Sequence, residues 1–180
     1  MGLPQLLIDA LQDVESVEGL DLAETLQKET VESLREHLVK IRRQVQVLEA
    51  STERLREAGA VAFQIPKQEL RDGTALQDLD RAIEFLRTEE EERRKWQPGL
   101  LDAVEKVKAG SFSYPIPPAD KALLVTTFDR FIQALTASLE NLRDVRWDLI
   151  ALRAENEDPG DAPVFDNPQD LLGYLKTLPK

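Results

Sequence analysis

Between Val31 and Leu55 the chain carries Val31, Leu34, Leu38, Ile41, Val45, Leu48, Thr52 and Leu55, separated by alternating steps of three and four residues. That alternation is the seam of a helix lying along other helices, because it keeps one narrow stripe facing a neighbour over many turns. Asp21 followed by Glu24 resembles a capping box and starts the predicted helix at residue 22. Gly59 offers a left-handed residue to end it near Ala58. At ~1.5 Å per residue, a helix over 22–58 is about 55 Å long. A compact globule cannot enclose such a rod, so it must lie along partners of similar length.

Two further segments match it. Thr74 with Gln77 is a capping box, and Leu76, Leu79, Ile83 and Leu86 repeat the three-and-four spacing. Pro98 kinks or restarts this helix, because it lacks an N–H and clashes with the preceding turn. Leu100, Leu101, Val104 and Val107 carry the stripe on, giving a span of 74–109. A proline-stiffened connection over 110–118 leads to the third rod, 119–156. There Leu124, Phe128, Phe131, Leu135, Ser138, Leu142, Val145, Leu149 and Leu152 hold the register. Val125, Ile132, Leu139 and Ile150 widen the stripe, which places this helix centrally, touching more than one neighbour.

The termini are short and amphipathic. Leu3, Leu6, Leu7, Ala10, Leu11 and Val14 share one face, with Pro4 suited to a helix start. Beyond a Pro/Gly linker, Asn167 and Pro168 suit the N-cap and first position of a helix bearing Leu171, Leu172, Leu175 and Leu178. Ala60–Ile65 is the only strand candidate. The expected fold is all-α: an elongated up-down-up bundle of three long helices with short amphipathic helices at both termini. Residues 1–157 form the bundle domain. Residues 158–180 form a linker and a short docking helix, packed on the same domain or swapped onto a second one.

Composition sharpens what the chain is not. Its 180 residues include no cysteine and one histidine. Disulfides, cysteine-ligated metals, thiol nucleophiles and multi-histidine sites are therefore excluded within one chain. With 23 basic and 34 acidic residues the net charge is −11, which argues against binding nucleic acid by phosphate neutralisation. No apolar run approaches a membrane span and no signal-peptide pattern opens the chain, so a cytoplasmic, membrane-free protein is the default expectation.

Candidate chemistry is sparse. Carboxylates at Glu89–Glu92 could hold a magnesium ion, as in a carboxylate-metal hydrolase. The same run sets Glu89–Arg93, Glu90–Arg94 and Glu91–Lys95 four apart in the favourable order, so a solvated salt-bridged face is expected instead. His37 lacks a Glu three residues earlier, where Leu34 stands, so it is expected at the seam's edge in a surface or half-buried structural role. No phosphate loop or nucleophile elbow is present. No catalytic residue, metal or cofactor is expected, nor an enzyme.

The remaining signals concern partners. Trp147 stands off the seam beside Arg146, a residue pair favoured at interfaces. It is expected to pack within its own chain, with an interface role as the alternative. Residues 155–170 carry six acids and no lysine or arginine. Phe165 and the leucines after it resemble a helix that docks in a groove. Trp147, Phe165, Leu171, Leu172, Tyr174 and Leu175 are the candidate partner-binding residues. The expected function is a non-enzymatic helical interaction, adaptor or regulatory protein, self-associating as a homodimer and open to a protein partner. An acidic decoy of a basic, nucleic-acid-binding protein is the alternative.

Overall fold

The computed structural model describes residues 3–19, 22–62, 73–110, 112, 114–156 and 167–177. These residues form α1 (Gln5–Glu15), a 3₁₀ helix (Leu22–Gln27), α2 (Val31–Ala62), α3 (Gly73–Arg94), α4 (Trp96–Lys108), α5 (Pro118–Glu155) and α6 (Pro168–Thr177). No strand occurs among them. The expected all-α bundle of long helices with short terminal helices is what the chain adopts.

Polar rungs give the directions. Arg35 donates to both carboxylate oxygens of Asp120 at 2.8 and 3.0 Å, and Arg130 to both of Glu49 at 2.9 and 2.7 Å. Residue numbers rise together along the two helices, so α2 and α5 run parallel. Asp80 meets Arg153 at 3.0 Å and Asp129 meets Lys108 at 3.8 Å, so α3 and α4 run antiparallel to α5. Asp13 meets Arg54 at 2.7 Å and Thr25 meets His37 at 3.0 Å, so the leading segment runs antiparallel to α2.

α5 is central among the long helices, packing on α2, α3 and α4. α1 lies against α2 and α3, and the 3₁₀ helix lies against α4. The N-terminal segment is therefore a fourth, broken rod that closes the bundle, rather than a patch on its outside. This fourth rod covers part of the stripes on α2, α3 and α4.

Several local expectations are corrected. α2 starts at Val31, not residue 22. Thr30 accepts the Ser33 N–H on its hydroxyl at 3.1 Å, so this cap wins over the Asp21/Glu24 pattern and leaves 22–27 as a 3₁₀ turn. α2 continues to Ala62, so Ala60–Ala62 are helical rather than strand; residues 63–65 lie outside the described residues. Gly59 is buried inside the helix and is no cap. α3 begins at Gly73, one residue before Thr74. The helix over 74–109 is two helices, interrupted at Lys95, because Pro98 has no N–H to donate to the Arg94 carbonyl. Gly110, with φ of 72°, ends α4 in the left-handed conformation and donates to the Val107 carbonyl at 3.1 Å.

His37 is buried rather than at an edge, with Nε2 3.0 Å from the Thr25 hydroxyl. The 3₁₀ helix covers it, which the α2 pattern alone does not reveal. Ser51, not Thr52, takes the buried seam position; Thr52 donates its hydroxyl back to the Leu48 carbonyl at 2.8 Å.

Asp120 sits in the first turn of α5, where a carboxylate is favoured by the helix dipole. The Arg35 hydrogen bond holds its carboxyl below the usual range, against the opposing effect of burial. A lowered folded-state value means the contribution exists above the unfolded value and disappears as pH falls through the folded one. In urea titrations, the stability gap between the wild type and Asp120→Asn will be constant above about pH 5 and narrow below about pH 4. A gap independent of pH down to 3 would remove this role.

Candidate functional site

Burial divides the core into two clusters. One joins Leu34–Leu48 of α2, Leu100–Val107 of α4 and Leu124–Leu139 of α5. The other joins Leu7–Val14 of α1, Leu55–Ala62 of α2, Ala75–Leu86 of α3 and Leu142–Leu152 of α5. Between them lies a polar layer that includes Ser51, Glu90, Arg93 and Ser138, all buried.

Arg93 is the centre of that layer, only 1% exposed. Its guanidinium donates to the Ser138 hydroxyl and, at 3.0 Å, to the Val14 carbonyl in the last turn of α1. A cation there also suits the negative end of α1. Nε is 3.9 Å from Glu89, and the group stands 5.9 Å from the Trp96 ring centroid. Burial lowers the proton affinity of Arg93, opposed by Glu89; burial raises the Glu89 carboxyl, opposed by Arg93. Glu90 is 4% exposed and meets Arg94 at 2.5 Å and Arg146 at 3.1 Å.

The acidic and basic run is thus not the wholly solvated face expected of it. Glu91 and Lys95 do not pair; Glu91 meets Arg87 and Lys95 meets Glu92. The signal was present in the spacing. Steps of three and four from Leu79 pass through Ala82, Leu86, Glu89, Arg93, Trp96, Leu100, Ala103 and Val107. Charge alone hid two seam positions. The layer fixes axial register, since the Arg93 guanidinium reaches both the Ser138 hydroxyl and the Val14 carbonyl only when they stand at one height. Its buried Nε has no hydrogen-bond partner and only the charge of Glu89 at 3.9 Å.

The expected partner residues fall apart by location. Trp147 is on the outer face of α5 and 58% exposed, so it does not pack beneath another helix of its chain. Its neighbour Arg146 stands 5.9 Å from the indole centroid while also holding Glu90. Leu172, on α6, is 56% exposed. Phe165 and the side chains of Leu171, Tyr174 and Leu175 lie outside the described residues. The α6 cap forms as expected: Asn167 accepts the Asp170 N–H at 2.9 Å and donates to its carboxylate at 2.6 Å.

The described residues line at least two surface grooves. One, of about 320 Å³, is apolar and runs between Leu3, Ile8 and Leu11 of the leading segment and Ala82 and Phe85 of α3. The other, of about 440 Å³, lies between α2 and α5 and sets Glu140, Asp144 and Asp148 opposite Arg56. Burial, with Asp144 adding to it, pushes the Asp148 carboxyl up. Among the described residues no three His, Asp or Glu side chains are grouped to hold a metal, and no helix is long and apolar enough to cross a membrane. Comparison of the chain with known families, curated proteins and solved structures finds no match.

Proposed function

We propose that this protein is a non-enzymatic helical interaction module that forms a homodimer through the outer face of α5. The observation that carries the reading is Trp147. A tryptophan held in water on the helix that organises the bundle leaves a large apolar surface uncovered. Such side chains, with arginine beside them, are the usual anchors of protein interfaces. Exposed Ala151 lies one turn further on the same face, leaving room for close approach. A two-fold contact of α5 with its copy would bury both indoles in one self-complementary patch. The net charge of −11 favours a protein partner over nucleic acid.

Light scattering will give the wild type twice the 20.4 kDa chain mass, and Trp147→Arg the single-chain mass with unchanged circular dichroism. A wild-type chain that stays monomeric at every accessible concentration rejects the dimer. A dimer that survives Trp147→Arg rejects this face.

The row Glu140, Asp144 and Asp148 along the α2/α5 groove favours a second reading, an acidic decoy for a basic nucleic-acid-binding protein. Affinity for such a partner would then fall steeply with added salt.

A further inference from the structure

We infer that the apolar groove between the N-terminal segment and α3 is the seat of the chain's own C-terminal helix, α6. In the structure the groove is open and Leu172 of α6 is exposed, the two uncovered halves of one contact.

The place where α5 ends decides the occupant. Arg153, in the last turn of α5, meets Asp80 at 3.0 Å. Asp80 lies between Asp78 and Arg81, which belong to the α3 wall of the groove. The chain therefore leaves α5 beside the turn of α3 that borders the groove. From there, residues 157–167 lead to Pro168. Those eleven residues span at most about 36–40 Å, roughly twice the half-circumference of one helix of ~10 Å diameter.

The incoming segment has matching chemistry. Its ten-residue helix is capped by Asn167, which lowers the cost of ordering it on docking. Leucines at 171, 172 and 175 recur at helical spacing. Asp166 and Asp170 flank its start, while Arg81 on the groove rim is 79% exposed and held, among the described residues, only by a pair with Asp78 at 3.5 Å. The contact is separate from the proposed dimer face. Trp147 lies on the outer face of α5, whereas the groove is formed by the N-terminal segment and α3. Its failure and the failure of the dimer reading are therefore distinguishable.

The absence of cysteine lets an introduced pair react alone. Full-length chain carrying Leu11→Cys and Leu172→Cys will form an intrachain disulfide on mild oxidation, read by mass and peptide mapping. A pair at Glu57 and Leu172 is the control, because Glu57 is exposed on α2 at about the height of Leu11, as the Asp13–Arg54 pair shows, but outside the groove. Bridging in the groove pair will be at least about tenfold faster, since docking raises the local thiol concentration above that set by the tether alone. Ile8→Cys with Leu172→Cys must behave as Leu11→Cys does, which covers a folding defect in either variant. Equal rates in groove and control pairs overturn the inference. Disulfides linking two differently tagged copies overturn it too, in favour of a swapped helix.

Discussion

Arg93→Ala will lower the unfolding free energy by about 3–5 kcal/mol, the range seen when one member of a buried charged network is removed. The guanidinium fills the polar layer almost completely out of water. Its removal takes the charged donor from the Ser138 hydroxyl and from the Val14 carbonyl, which keeps only the Val17 N–H at 3.3 Å. It also leaves Glu89 facing a low-dielectric cavity with no cation beside it. Trp96 loses the charge near its ring and packs against empty space. The double variant Arg93→Met with Ser138→Ala separates the causes. It refills the volume and removes one orphaned hydroxyl, so most of the loss should return even though no charge is restored. Chemical denaturation measures both. An Arg93→Ala chain within about 1 kcal/mol of the wild type would mean the layer is hydrated and the arginine is a surface residue in practice.

Gly59→Leu will cost about 3 kcal/mol, the upper part of the range for overpacking a close-packed contact. A β-carbon at this position would lie 2.9 Å from Val145 Cγ2 and 3.4 Å from Cγ1. The obstructing group is a short branched side chain in the interior of α5, itself buried, with little freedom to swing aside. A glycine inside an exposed helix costs about 1 kcal/mol relative to alanine, so its use here is compensated by the approach of α2 to α5. Gly59→Ala balances that propensity gain against a smaller clash and should fall near neutral. Val145→Ala in the Gly59→Leu background should recover at least about 1 kcal/mol, although Val145→Ala alone is destabilising. Strict additivity of the two changes would sink the contact account.

Much of the bundle was legible in its spacing. The seams on α2, α3–α4 and α5 are local properties of a helix, because residues three and four apart share a face whatever else is present. The breadth of the α5 stripe located the central helix for the same reason. The α6 cap was equally readable, since Asn167 and Pro168 act within one turn; that Asp170 closes it is seen only in the structure. Glu90 and Arg93 were misassigned because i,i+4 pairing looks the same in water and in a core until the opposite wall is known. Spacing shows that Trp147 stands off the α5 seam, but whether the C-terminal segment, another helix or a partner covers it is not a local property; in the folded chain it is 58% exposed.

Local periodicity, then, set the all-α class, the rods and their order along the chain, because hydrogen bonding and side-chain repeat within a helix need no distant partner. Heights and neighbours belonged to the assembled bundle. Only when the rods are aligned do Val14, Glu89, Arg93 and Ser138 meet at one level, and only then does Gly59 become a point of contact with Val145 instead of a helix end. The N-terminal segment joined the bundle as a fourth rod on the same basis. Burial is a relation between surfaces brought together by packing, and no single stretch of chain contains both sides of it.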